Sequence, residues 1–201
     1  MKRTFCFDFD GTFADTLPLV IGTANRLFKK ASGEEISDEF LRKIREDGIE
    51  DVFREAKIPL YRLFLLYFKI KKEMNSGVKD VEINEGMREV VKNLKKKGAR
   101  VGILTSNSEE NVIAFLKDKD FEYFDFVKTA GLLGKEREIR RLKEKGREFF
   151  YIGDETRDVK AGRRARVKTI AVSWGLSSKK ALQKAKPDFL VERPEDLLDL
   201  S

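Results

Sequence analysis

The chain has 201 residues, of which 41% are hydrophobic and 38% charged, with a formal net charge of +7. That length supports one full domain with a smaller one attached, and the apolar fraction excludes a disordered chain. There is no histidine and a single cysteine, which excludes an imidazole base, a histidine-ligated zinc and an intrachain disulfide.

Excess positive charge favours polyanions, and a basic protein acting on nucleic acid is one reading of it. Runs such as Lys135-Glu136-Arg137-Glu138 mix both signs, however, as solvated helix faces do, so no nucleic-acid partner is expected. Cys6, between Phe5 and Phe7, reads as a small buried hydrophobe. No apolar run approaches membrane-spanning length, and the first one stops at Asp8, too early for a signal peptide. A cytoplasmic protein without a membrane partner is expected, as a monomer or homodimer.

The first predicted strand, residues 4–7, runs straight into Asp8-Phe9-Asp10-Gly11-Thr12. Residues 15–82 then carry a helical signal and no strand signal. Leu17, Val20, Ile21, Ala24, Leu27, Phe28 and Ala31 share one helical face, and further helices are expected over 38–46, 50–57 and 60–74, separated by Gly48 and Pro59. From residue 83 onward short apolar runs at 100–104, 124–127, 149–152, 169–172 and 189–191 alternate with helical patterns, one of them ending at Gly98 and one capped by Ser108. Such alternation predicts an α/β fold: a doubly wound, Rossmann-like parallel sheet formed by residues 1–14 and 83–201, with the helical bundle of 15–82 inserted as a cap.

Polar groups gather where these strands end. The first strand leads to Asp8 and Asp10, the second to Thr105-Ser106-Asn107, and the fourth to Gly153-Asp154, with Asp158 a helical turn further on. One aspartate at a strand end is an ordinary turn former or helix cap. In a doubly wound sheet, however, all these ends face one crevice. With no histidine, acid–base work falls to carboxylates, lysines or tyrosines, and any metal site to oxygen ligands, which suit magnesium. Such a cluster suits phosphoryl transfer: one carboxylate as nucleophile, a second moving protons, and cations neutralising the phosphoryl oxygens. Strand alternation would put Asp8 and Asp10 on one face, so the chain is expected to leave strand geometry near Phe9, with Gly11 permitting the tight exit.

On these residues the chain resembles the phosphatase branch of the haloacid dehalogenase superfamily, specifically members like phosphoglycolate phosphatase with a small helical cap. Asp8-Phe9-Asp10-Gly11-Thr12 matches the first motif, Ile103-Leu104-Thr105-Ser106-Asn107 the second, Lys135 the third and Gly153-Asp154 through Asp158 the fourth. The resemblance implies that Asp8 is the nucleophile, Asp10 the general acid and base, and that Thr105 and the Ser106 amide bind the transferring group. It implies that Lys135 balances charge, although a lone lysine in so basic a chain reads equally as a solvated helix residue. Magnesium would be held by Asp8, the Asp10 carbonyl and Asp154, with Asp158 as ligand or support. Gly11, Thr12 and Asn107 complete the expected phosphate site. Arg45, in the cationic stretch 41–45, presents a charge to an acidic substrate such as phosphoglycolate or else lies on a solvated helix face.

The family's dehalogenases lack the second aspartate, because a carbon–halogen bond needs no proton for its leaving group, so Asp10 favours phosphate. The expected activity is hydrolysis of a small phosphorylated metabolite, with a sugar phosphomutase or pyrophosphatase of the same fold as alternatives. Two departures stand out: Arg166 occupies a helix end where many relatives have glycine, and Phe13 replaces a more usual leucine. The first predicts backbone strain of about 1 kcal/mol or a different helix end; the second reads as packing.

Overall fold

Six parallel strands form one sheet in the order β3-β2-β1-β4-β5-β6. The strands are β1 (Lys2–Phe7), β2 (Arg100–Thr105), β3 (Phe126–Thr129), β4 (Arg147–Gly153), β5 (Lys168–Val172) and β6 (Phe189–Val191). The computed structural model describes residues 2–55, 57, 61, 65–66, 68–70, 81–131 and 134–200. The order reverses direction beside β1, between β2 and β4, which is where doubly wound sheets open a crevice at their carboxyl ends.

Strand alternation sorts side chains onto two helical layers. Phe5 and Phe7 of β1, with Phe150 and Ile152 of β4, pack with Met87, Val90, Val91 and Leu94 of helix α4 (Met87–Lys96) and with Val112 and Phe115 of α5 (Glu109–Asp118). Cys6, Leu104, Phe149 and Tyr151 project to the other face, against Ile139 of α6 (Lys135–Leu142) and Ala165 of α7 (Thr156–Ala165). Each fully buried Phe or Ile contributes about 1.5–3 kcal/mol to holding the layers together. A side chain at position 102 would collide with the Phe126 ring, 2.2 Å from where its Cβ would stand, so Gly102 lets β3 close on β2. Helix α8 (Lys179–Ala185) packs on β5 through Leu182, against Ala171 and Val159.

The helical segment contributes α1 (Leu17–Ser32), α2 (Asp38–Asp47) and α3 (Ile49–Glu55). Ser37 caps α2 by accepting the Phe40 amide, and Gly33, at φ 81°, ends α1 in a left-handed turn. The helix expected over 60–74 lies largely outside the described residues. The segment leaves and rejoins the sheet domain through a short antiparallel neck, in which Ala14 pairs with Ile83 and the amides of Asp15 and Asn84 donate to the carbonyls of Glu82 and Phe13.

Three sequence readings meet detail here. β3 begins two residues later than expected, because Asp125 turns into the β2 ladder: its amide donates to the Val101 carbonyl and its carboxylate accepts the Val101 amide. Phe124 packs instead edge-on to Phe7 and Phe13. Arg166 does end α7 in the left-handed region, at φ 58° and ψ 50°, so the strained ending is the one adopted. Phe13 is fully buried against Phe121 and Phe124, as packing requires.

Candidate active site

β1 ends at Phe7, and its continuation makes a tight loop rather than more strand. The amides of Phe13 and Ala14 both donate to the Phe9 carbonyl, and the Gly11 amide donates to Ala14 O at 2.9 Å and to Thr16 Oγ1 at 3.2 Å. Gly11 sits at φ 74°, and a Cβ there would lie 2.5 Å from Asp154 Oδ2, so both conformation and space require glycine. The turn at Phe9 separates Asp8 from Asp10. Asp8 is buried, with Oδ1 accepting the Phe9 amide at 2.8 Å, whereas Asp10 is partly exposed and pairs through its backbone with Ala14.

Lys135 opens α6 and is buried, so it is not a solvated helix residue. Its Nζ donates to Asp8 Oδ2 at 2.6 Å and to Asp158 Oδ1 at 2.7 Å. Asp158 is further fixed by the Tyr151 hydroxyl at 3.4 Å on the same oxygen and by the Glu155 amide at 3.2 Å on the other. Asp154 accepts the Thr12 hydroxyl on Oδ1 at 2.8 Å and the Leu176 amide on Oδ2 at 2.7 Å. Thr12 thus steadies Asp154, while its carbonyl takes donors from Asn84 and Trp174.

Thr105 is fully buried at the end of β2, its Oγ1 accepting the Asn107 amide at 2.9 Å. That leaves the hydroxyl proton to be given elsewhere. The Asn107 side chain turns back to accept the Ser108 amide, and Ser106 beside it is partly exposed. Arg45 stands apart: its guanidinium lies on the Gly175 carbonyl at 3.4 Å. Tyr151, Trp174, Asn84 and the Leu176 amide join the site without a sequence signal of their own.

Carboxylate oxygens of Asp8, Asp154 and Asp158 lie within 4.8 Å of one another, and all three residues are buried. Burial pushes the Asp8 carboxyl up to about 7 against the pull of Lys135, and burial, with Glu155, Asp158 and Asp8 nearby, raises Asp154 well above the carboxylate range. Burial alone would depress Lys135, but Asp158 and Asp8 outweigh it and raise its affinity for a proton. Three buried carboxylates facing one ammonium leave negative charge in excess, and a hard, oxygen-seeking divalent cation fits that donor set.

At the crevice beside β1, then, buried Asp8 follows β1, buried Asp154 follows β4, and Lys135 bridges Asp8 to Asp158 of α7. The family model described as haloacid dehalogenase-like hydrolase matches residues 5–172, and the chain belongs to that family. It is 30% identical to a phosphoglycolate phosphatase of Synechococcus elongatus, over 98% of this chain and 95% of the relative. It is 29% identical to pyrophosphatase PpaX of Bacillus cereus, over the same shares. A crystal structure from Clostridium acetobutylicum, described as a predicted phosphatase, has the same fold with a TM-score of 0.82 at 19% identity, covering 100% of this chain and 98% of that one.

Proposed function

We propose that the protein is a magnesium-dependent phosphatase that hydrolyses small phosphate monoesters through an aspartyl phosphate on Asp8. The observation that carries this reading is the Lys135 ammonium shared between buried Asp8 and Asp158, with Asp154 alongside. Lys135 holds Asp8 in place and favours its ionised form, the form that attacks phosphorus. As the Asp8 oxygen bonds to phosphorus, the bond to the leaving oxygen breaks and Asp10 gives that oxygen its proton. Asp10, now ionised, takes a proton from water, whose oxygen attacks phosphorus and frees phosphate and Asp8. The Thr105 hydroxyl and Ser106 amide donate to the phosphoryl oxygens. Magnesium, held by the Asp8 and Asp154 carboxylates and the Asp10 carbonyl, with Asp158 in support, would neutralise charge on the phosphoryl group. Residues 15–82 act as a cap over the substrate.

Phosphoglycolate and pyrophosphate are the first substrates to try, a choice that the names of the two relatives support. Phosphate release from these, from sugar phosphates and from an aryl phosphate, with magnesium or with chelator, tests the reading. Turnover that needs magnesium and vanishes in Asp8→Asn supports it, and full activity in Asp8→Asn would sink the covalent step. Faster release from pyrophosphate than from any monoester would move the substrate assignment to the anhydride.

A further inference from the structure

Asp154 is the point where the neck residues of the sheet domain and the last turn of α2 converge. On one side its Oδ1 is held by Thr12, whose carbonyl accepts Asn84 Nδ2 at 2.9 Å from the neck and Trp174 Nε1 at 3.1 Å. On the other side it is wrapped by the loop of residues 173–178. The Leu176 amide takes Oδ2 at 2.7 Å, the Ser177 amide takes the Asp154 carbonyl at 3.2 Å, and Gly175 lies so close that a Cβ would stand 2.1 Å from that of Asp154. This loop carries the last turn of α2. The Ser178 amide donates to the Arg45 carbonyl at 2.7 Å, and Arg45 Nη2 donates to the Gly175 carbonyl at 3.4 Å. A helix end needs external donors for its final carbonyls, and the donor to the Arg45 carbonyl comes from the loop that fixes the carboxylate.

We infer that docking of α2 on the 173–178 loop sets the position of Asp154, and therefore that this docking and metal affinity are coupled. Arg45 and Ser178 are positioning residues for Asp154, acting through the Gly175 carbonyl and the Leu176 amide. This inference rests on the metal reading of the preceding subsection. Coupling is reciprocal: whatever docking of α2 adds to cation affinity, the cation adds to docking of α2. Arg45 then works before any substrate arrives, which distinguishes it from a residue that only greets a substrate anion.

The test is calorimetric titration of the full chain with magnesium chloride and no substrate. Ser178 has φ −64° and ψ 150°, angles a proline accepts, so Ser178→Pro removes the amide donor without forcing the backbone. Ser178→Ala keeps that donor and loses only the hydroxyl that caps the Ala181 amide. Ser178→Pro is expected to weaken magnesium binding by about 5-fold or more, Arg45→Gln to weaken it in the same direction, and Ser178→Ala to leave it within about twofold of wild type. As an independent readout on the unmodified chain, magnesium is expected to slow hydrogen exchange at the Ser178 amide. Wild type that binds magnesium while Ser178→Pro and Arg45→Gln bind equally well overturns the coupling and leaves the metal reading standing. Wild type that shows no saturable binding removes both.

Discussion

Lys135 Nζ stands 2.6 Å from Asp8 Oδ2, a contact between residues 127 positions apart in the chain and one that both side chains make in near-complete burial. The pair is held in register because Asp8 leaves β1 while Lys135 opens α6, and Asp158 takes the other side of the ammonium. Replacing Lys135 with methionine keeps volume and removes the charge. Two buried carboxylates then face each other without a cation, which destabilises by about 3–5 kcal/mol, and turnover is expected to fall by about 100-fold or more. Thermal unfolding and steady-state kinetics of Lys135→Met check both numbers. Unchanged turnover would remove Lys135 from the machinery.

A second expectation concerns pH and the cation together. Asp8 titrates near 7 in the folded protein, above its ordinary range. Between about pH 4 and 7 the folded chain keeps a proton that the unfolded chain has released. This group's contribution to metal-free stability is therefore full at low pH and is lost as pH rises through 7, and Asp154 shifts in the same direction. A cation competes with those protons, so the increase in Tm caused by magnesium is expected to be larger at pH 8 than at pH 5. Equal increases at the two pH values would contradict it.

Thr12 offers a cleaner structural probe. Its hydroxyl is the donor to Asp154 Oδ1 at 2.8 Å in a fully buried setting. Thr12→Val leaves that oxygen without its donor and is expected to cost about 1–3 kcal/mol, whereas Thr12→Ser retains the bond and costs less. Urea denaturation of the pair reads the difference. Equal losses would mean that the methyl group, and not the hydroxyl, matters.

Arg166 makes the opposite prediction. Glycine is comfortable at φ 58° and ψ 50°, and arginine is not, although glycine also frees the unfolded chain. The balance favours Arg166→Gly by roughly 0.5 kcal/mol, with turnover unchanged because the residue lies outside the proposed catalytic set. Lys143 Nζ, which donates to the Arg166 carbonyl at 2.9 Å, keeps its acceptor in the variant. A clear loss of stability would show that the arginine side chain holds more than the backbone costs it.

The sheet was legible because each buried strand is a short apolar run ended by a polar or glycine residue, and its shortness and flanking turn residues separate it from the longer 3.6-period helices. β3 was misplaced by two residues because a carboxylate, Asp125, substitutes for a neighbour in the ladder, and such local substitution leaves no periodic trace. Asp8, Asp10 and Asp154 were visible as acids at strand ends that the topology must bring together, with Asp158 a helical turn beyond Asp154. Lys135 was visible only by its place in the order, since nothing distinguishes it from its many cationic neighbours until its burial is known. The donors that fix Asp154 were not visible at all. The Leu176 amide belongs to a backbone that any residue would supply, and Thr12 read as a phosphate contact while its hydroxyl faces a carboxylate.

The neck at Ala14 and Ile83 has a further meaning for how such a protein is assembled. Because those two residues pair antiparallel, the helical segment departs and returns through one doorway, and its two ends are already neighbours. An antiparallel pair is closed by a turn of two residues as readily as by a long excursion. The inserted segment can thus change in length without asking any strand of the sheet to move, so long as α2 keeps its seat on the 173–178 loop.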